Sequence, residues 1–225
     1  SFLPARGLTL VARGAVADES PRAFTDVEII NDMEMFSYVR IDALRASPRG
    51  KRDWVVILVL SDSGPYATEK PKLRQLVGGI DAERAATDER LDEVIIVAED
   101  GFFTKKHILE VVSTYAASSP AGADPDGTGA YYNAYPYYNF SFDLPRNANV
   151  YPHRIMSAED IARFAKENGH STMASAAASL PFIFQTDAPI VWNGGRPGQI
   201  VEILRGSTTA GETPYYRRIV AKSVS

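Results

Sequence analysis

The 225-residue chain contains no cysteine, which excludes a disulfide framework and every thiolate metal site. Its three histidines, His107, His153 and His170, are far apart, in none of the spacings that put two ligands on one helix face. No metal centre and no cofactor are expected. Long apolar runs are missing too. The longest, Trp54 to Leu60, is strand-sized and far short of the roughly 20 residues of a membrane span. The residues from Ser1 make no basic-then-apolar signal segment, and the chain as given is expected to start after a trimmed beginning. The loop Gly194-Gly195-Arg196-Pro197-Gly198 lacks the Lys-Ser/Thr of a nucleotide site, and Pro197 removes a backbone donor, so it is expected to be a strand-connecting turn. No Gly-x-Ser-x-Gly elbow occurs, and no Glu/Asp-x-Lys lies on an expected strand, although Glu99-Asp100 follows one. A serine hydrolase and a Mg²⁺-dependent nuclease are both disfavoured.

What is present suffices for real cores: 45% of the residues are hydrophobic and 23% charged. The net charge of −4 is unevenly spread. Through Pro145 there are 15 basic against 22 acidic residues, a balance of −7; from Arg146 onward 9 face 6, a balance of +3. Neither part has the dense basic face that holds nucleic acid unaided. Any contact with DNA is therefore expected to be weak.

Along the chain, Thr25-x-x-Glu28 opens a helix with Val27, Ile30, Met33 and Phe36 as an expected core stripe. Phe36 to Leu44 and Trp54 to Leu60 flank the Pro/Gly-containing, basic tip Arg45 to Arg52, the pattern of a hairpin. Two surface helices are expected over Lys70 to Val77 and Asp81 to Leu91. A buried strand follows at Val94 to Ala98, then a charged turn at Glu99-Asp100-Gly101 and a helix from Thr104 to Ala116. Residues 117–130 are low in complexity and predict a flexible loop. Five tyrosines between Tyr131 and Tyr138, with no cation among them, predict packing against a protein surface rather than stacking on bases. Phe140 to Leu144 reads as a strand. Ser157-x-x-Asp160 then caps a helix that runs through Asn168 and is ended by Gly169. Ile183 to Phe184, Gln199 to Leu204 and Tyr215 to Val220 are short strands. The fold class is α+β overall: an N-terminal α/β domain over 1–145 and a small C-terminal α+β domain over 146–225.

The most specific feature lies near the C-terminus. Asp187, Gly194, Gly198, Gln199, Val201 and Ile203, then Arg205, Ser207, Thr209, Ala210, Gly211, Tyr216 and Arg217, stand at fixed spacings. Together they resemble, without a gap, the C-terminal domain of subunit 5 of the multisubunit DNA-dependent RNA polymerases, a family with an archaeal counterpart. The resemblance covers roughly Val150 to Val220, and upstream it is carried mainly by the order of elements. Trp192-x-Gly194-Gly195-Arg196-Pro197-Gly198, with the basic end Ala221-Lys222-Ser223, looks most like the homologues of large nucleocytoplasmic DNA viruses. The chain departs from the family in Asp187-Ala188-Pro189, where the proline is displaced by one position, and in Gly206, which replaces a proline. The family's jaw-loop motif is replaced by Phe102-Phe103-Thr104-Lys105-Lys106.

The resemblance implies a non-catalytic subunit with no small-molecule substrate and no membrane partner. The C-terminal domain would dock on the largest polymerase subunit, and the N-terminal domain would form a jaw near downstream duplex DNA. It makes Pro189, Trp192, Arg196, Gln199, Arg205, Tyr216 and Arg217 the candidates for that subunit interface, and Thr104, Lys105 and Lys106 the candidates for DNA contact. Arg205 and Arg217 read equally as forked donors to a partner or as internal clamps. Trp192 reads as a core anchor or an interface hot spot. A viral chain would work in the virion and host cytoplasm, a cellular one in the nucleus. The competing reading is a free-standing transcription or host-interaction factor that has borrowed the domain.

Overall fold

The computed structural model describes residues 2–6, 8–11, 26–46, 52–86, 90–99, 106–118, 129–207 and 211–221. The expected hairpin tip, the acidic turn at Asp100-Gly101, most of the 117–130 loop and the N-cap residue Thr25 lie outside them. The chain divides into two compact units, one of Gly7–Ser141 and one of Ser1–Arg6 with Phe142–Ser225.

The first unit is a mixed five-stranded sheet. Its strands are β1 (Leu8–Leu10), β2 (Tyr38–Ala46), β3 (Arg52–Leu60), β4 (Leu91–Ala98) and β5 (Tyr131–Pro136), in that spatial order. β1, β2 and β3 pair antiparallel, whereas β3, β4 and β5 run parallel. Parallel neighbours need crossovers. These are supplied by α3 (Pro65–Thr68) with α4 (Lys70–Ala86), and by α5 (His107–Ser118). Val56, Leu58, Leu60, Val94 and Ile96 from one sheet face close a core with Leu73, Val77 and Ile80 of α4 and Ile108 and Val111 of α5.

Several expectations are corrected here. The two surface helices are one, because Leu73, Val77, Ile80 and Arg84 form a single buried stripe. That stripe carries the helix across Gly78-Gly79, and Leu91 is released to β4. The tyrosine cluster turns inward: Tyr132 and Tyr135 are buried, and the Tyr137 hydroxyl donates to Leu60 O. Tyr132 lies 5.4 Å from Tyr115, and its hydroxyl donates to Asp81. The expected strand at Phe140 to Leu144 is absent. Two 3₁₀ turns, Tyr137–Phe140 and Leu144–Arg146, take its place because Pro136 and Pro145 supply no ladder donor. In α2 (Asp26–Phe36) the expected core stripe ends on the surface. Phe36 is 44% exposed and leans on Tyr38 at 6.4 Å.

The second unit is a four-stranded sheet in the order β6 (His153–Ile155), β8 (Ile200–Ser207), β9 (Gly211–Val220), β7 (Phe182–Phe184). One face is covered by α6 (Ala158–Glu167), whose N-cap Ser157 hydroxyl accepts from Asp160 N as its spacing predicts. Phe164 of α6 meets Tyr216 at 4.6 Å. Arg154 joins Asp160 at 2.6 Å and Glu202 at 2.8 Å, and this hydrogen bonding holds the Asp160 carboxyl down to about 2. Two helices escaped the sequence reading, α7 (Met173–Ser179) and α8 (Ala188–Asn193). On the other face Ile190 of α8 closes a small core with Val201, Ile203, Ile219, Ile155 and Ile183. The glycine-rich segment after it therefore joins a helix to a strand, not two strands. Gly194 ends α8 at φ 66°, and a side chain on Gly195 would stand 2.6 Å from Ile219 and 2.7 Å from Ile190.

Candidate functional site

Two regions carry the candidate residues. In the first unit, Thr104 and Lys105 lie outside the described residues. Lys106 is exposed, sits at φ 62° immediately before α5, and its carbonyl accepts from Glu110 N at 2.9 Å. A left-handed residue at that point sets the direction in which the chain enters the helix.

The seven C-terminal candidates are spread over both faces of the second unit's sheet. Trp192 lies inside, 3% exposed, its ring edge-on to Phe2 at 5.4 Å. Phe2 belongs to the short helix α1 (Phe2–Ala5), so the start of the chain completes the packing of this unit. Pro189 is the first-turn proline of α8, where a missing N–H costs nothing. Gln199 accepts from Arg196 N at 2.7 Å through its side-chain oxygen, closing the turn into β8. Tyr216 faces α6, and its hydroxyl donates to Glu202 at 3.3 Å.

Arg205 and Arg217 are different. They line one groove of about 380 Å³ together with Tyr151, His153, Phe182, Ile183, Phe184, Asp187 and Ile203. The strand ladder explains their meeting: Val201 pairs with Arg217, Ile203 with Tyr215 and Arg205 with Thr213, so all point to the face that α8 covers only in part. The Arg205 guanidinium lies over Tyr215 at 4.6 Å and near Tyr151 at 5.8 Å, while its buried Nε has no hydrogen-bond partner among the described residues. Arg217 donates from Nη1 to Phe182 O at 3.0 Å, and Phe184 N donates to Asp187 at 3.3 Å. Both bonds occupy outward groups of the edge strand β7, which blunts strand addition there. Among the described residues neither arginine has an acidic partner within ion-pair distance, in contrast to Arg154. Phe182 and Tyr215 at the rim are 55% and 47% exposed.

The groove also holds a histidine, His153. His153 donates from Nδ1 to Tyr151 O at 2.6 Å. Burial lowers its pKa, and the nearby Arg205 charge adds to this, against the opposing effect of that hydrogen bond. The folded unit therefore binds the proton less readily than the unfolded chain, so stability falls as pH drops below the ordinary histidine value of 6.5. Between pH 7.5 and 5.5 the urea midpoint of this unit should fall, and His153→Gln should flatten that fall. Trp192 fluorescence in a Trp54→Phe background reads it; an equal fall in both proteins would remove His153 as the cause.

The sequence pattern found both arginines but missed the companions that make the groove. Phe182 and Phe184 flank Ile183 on a three-residue strand too short for alternation to be legible. His153 and Tyr151 arrive from about 50 residues upstream of Arg205.

Residues 142–219 match the family RNA polymerase Rpb5, C-terminal domain. A DNA-directed RNA polymerase RPB5 homolog of African swine fever virus is 25% identical over 170 residues, covering 76% of this chain and 75% of the viral protein. The DNA-directed RNA polymerase subunit Rpo5 of Thermococcus onnurineus is 37% identical over 79 residues, 35% of this chain but 90% of the archaeal protein. That of Thermococcus kodakarensis is 35% identical over the same length. The chain therefore belongs to the subunit 5 family of the DNA-directed RNA polymerases.

Proposed function

We propose that this chain is a non-catalytic structural subunit of a viral DNA-directed RNA polymerase, with its second unit docked on the largest subunit. The observation that carries this reading is the extent of the archaeal likeness. A stretch of 79 residues, close to the length of the 142–219 family match, accounts for 90% of a protein that is itself named a polymerase subunit. What the archaeal and viral relatives share is then an assembly module, to which the first unit is added. The first unit serves as a jaw beside incoming downstream duplex. With a balance of −7 through Pro145, it adds only a weak, salt-sensitive contact through the 104–106 segment. Nucleotide, Mg²⁺ and bond formation belong to other subunits. The site of action is the virion and the cytoplasm of the host cell.

The test is purification of the tagged chain from its producing cells at moderate salt, with mass spectrometry of what is retained. Stoichiometric recovery of the two largest polymerase subunits is the expected result. Recovery of the chain alone, or with unrelated proteins, would leave a free-standing factor with a borrowed domain. Removing the 104–106 cations by Lys105→Ala and Lys106→Ala should leave that recovery unchanged.

A further inference from the structure

The groove of the second unit has a charge and an apolar rim that are only partly satisfied among the described residues. Arg154 and Arg163 are ion-paired with Asp160, and Arg154 also with Glu202. Arg205 and Arg217 have no such partner among the described residues, and the groove's one carboxylate, Asp187, accepts from Phe184 N. Among the described residues two cations thus face one anion beside Phe182, Phe184, Tyr151 and Tyr215, which remain partly exposed. The Arg205 and Arg217 side chains are each only partly buried, so their guanidinium forks remain open to a partner carboxylate.

We propose that this groove holds an extended, acidic segment of a partner polymerase subunit. One carboxylate meets Arg205, a second meets Arg217, and an apolar side chain lies between them on Ile203 and Tyr215. The inference rests on the assembly reading above and names the chemistry of its contact. The ladder sets the spacing: the cross-strand partners of Arg205 and Arg217 on β9 and β8 place them four residues apart along the strand direction, about 13 Å at ordinary strand rise. An extended segment with acidic residues at positions i and i+4 matches that interval. Recognition is by side chains, since Phe182 O and Phe184 N on the edge strand are already bonded. Nucleic acid fits less well. Phe182 and Phe184 pack on each other at 62° instead of offering a flat platform, the Arg205 face is taken by Tyr215, and Asp187 opposes a phosphate.

The experiment uses the complete polymerase carrying this chain, with photo-reactive benzoylphenylalanine at Tyr151 or at Tyr215. Cross-linked peptides from a polymerase subunit that contain acidic residues four apart are the expected result. In parallel, the pair Arg205→Gln/Arg217→Gln should speed release of the subunit about tenfold, whereas Arg205→Lys/Arg217→Lys, which keeps the charge, should lose less. Unchanged Trp192 emission in both pairs shows that the unit is folded. Cross-links to DNA, to peptides without carboxylates or to nothing would overturn the groove assignment, as would equal release of both pairs. If the subunit stays stoichiometric in those cases, the assembly reading stands and only the groove assignment falls. If the unsubstituted chain is absent from the polymerase, the assembly reading fails first.

Discussion

Arg45→Met should destabilise the first unit by about 3–5 kcal/mol, the range for removing one partner of a buried ionic cluster. β3 and β4 pair Trp54 with Leu91 and Val55 with Glu93, so Asp92 is an extra residue in the ladder. The irregularity brings two consecutive acids toward one guanidinium. Arg45 Nη1 meets Asp92, and Nη2 lies 3.3 Å from Glu93, which also accepts from Asn133 at 2.9 Å. The acids are 3% and 1% exposed, whereas the arginine side chain keeps a path to solvent. Without Arg45, two carboxylates remain buried side by side, with Arg90 at 3.7 Å from Asp92. Urea unfolding followed by Trp54 in a Trp192→Phe background measures the loss, because each unit carries one of the two tryptophans. Adding Asp92→Asn and Glu93→Gln to Arg45→Met should recover part of it. A loss under about 1 kcal/mol, or no recovery, would show that the cluster is not held as described.

Trp192→Ala should cost the second unit about 3–5 kcal/mol, as removal of a large buried aromatic does. The indole is almost fully enclosed, packed on Phe2 and carried by a helix whose Ile190 belongs to the small core of that unit. For a unit of this size the loss corresponds to a melting shift of more than about 12 °C. Phe2→Ala should give a smaller shift in the same transition, because it removes one neighbour of the ring and leaves the ring in place. Far-ultraviolet circular dichroism against temperature reads both. Near-wild-type melting of Trp192→Ala would mean that the indole is not part of the core and is free to serve a partner.

These two residues show how far sequence reasoning reaches. Trp192 stands inside the motif that carries the family resemblance, yet core anchor and interface hot spot look alike in sequence. The deciding neighbour, Phe2, is 190 positions away. Asp92 and Glu93 read as charges bounding an apolar run, and only their pairing with β3 and the reach of Arg45 put them inside. Local signals fared better. The Ser157 cap and the amphipathic helix at His107 rest on groups within a few residues of each other, and the hairpin from Tyr38 to Leu60 pairs two strands adjacent in the chain. Phe140 to Leu144 failed because apolar content alone does not form a strand between two prolines.

By itself, the sequence determined the family, the α+β class, the uneven charge and the elements whose caps and periodicity are local. The tertiary structure decided which motif residues face inward and which face solvent. It closed Trp192 under Phe2, turned Tyr132 and Tyr135 into the core, and left Arg205 and Arg217 beside exposed aromatics without an acidic partner among the described residues. Burial and ion pairing depend on groups brought together from distant positions, and spacing along one chain carries no record of them.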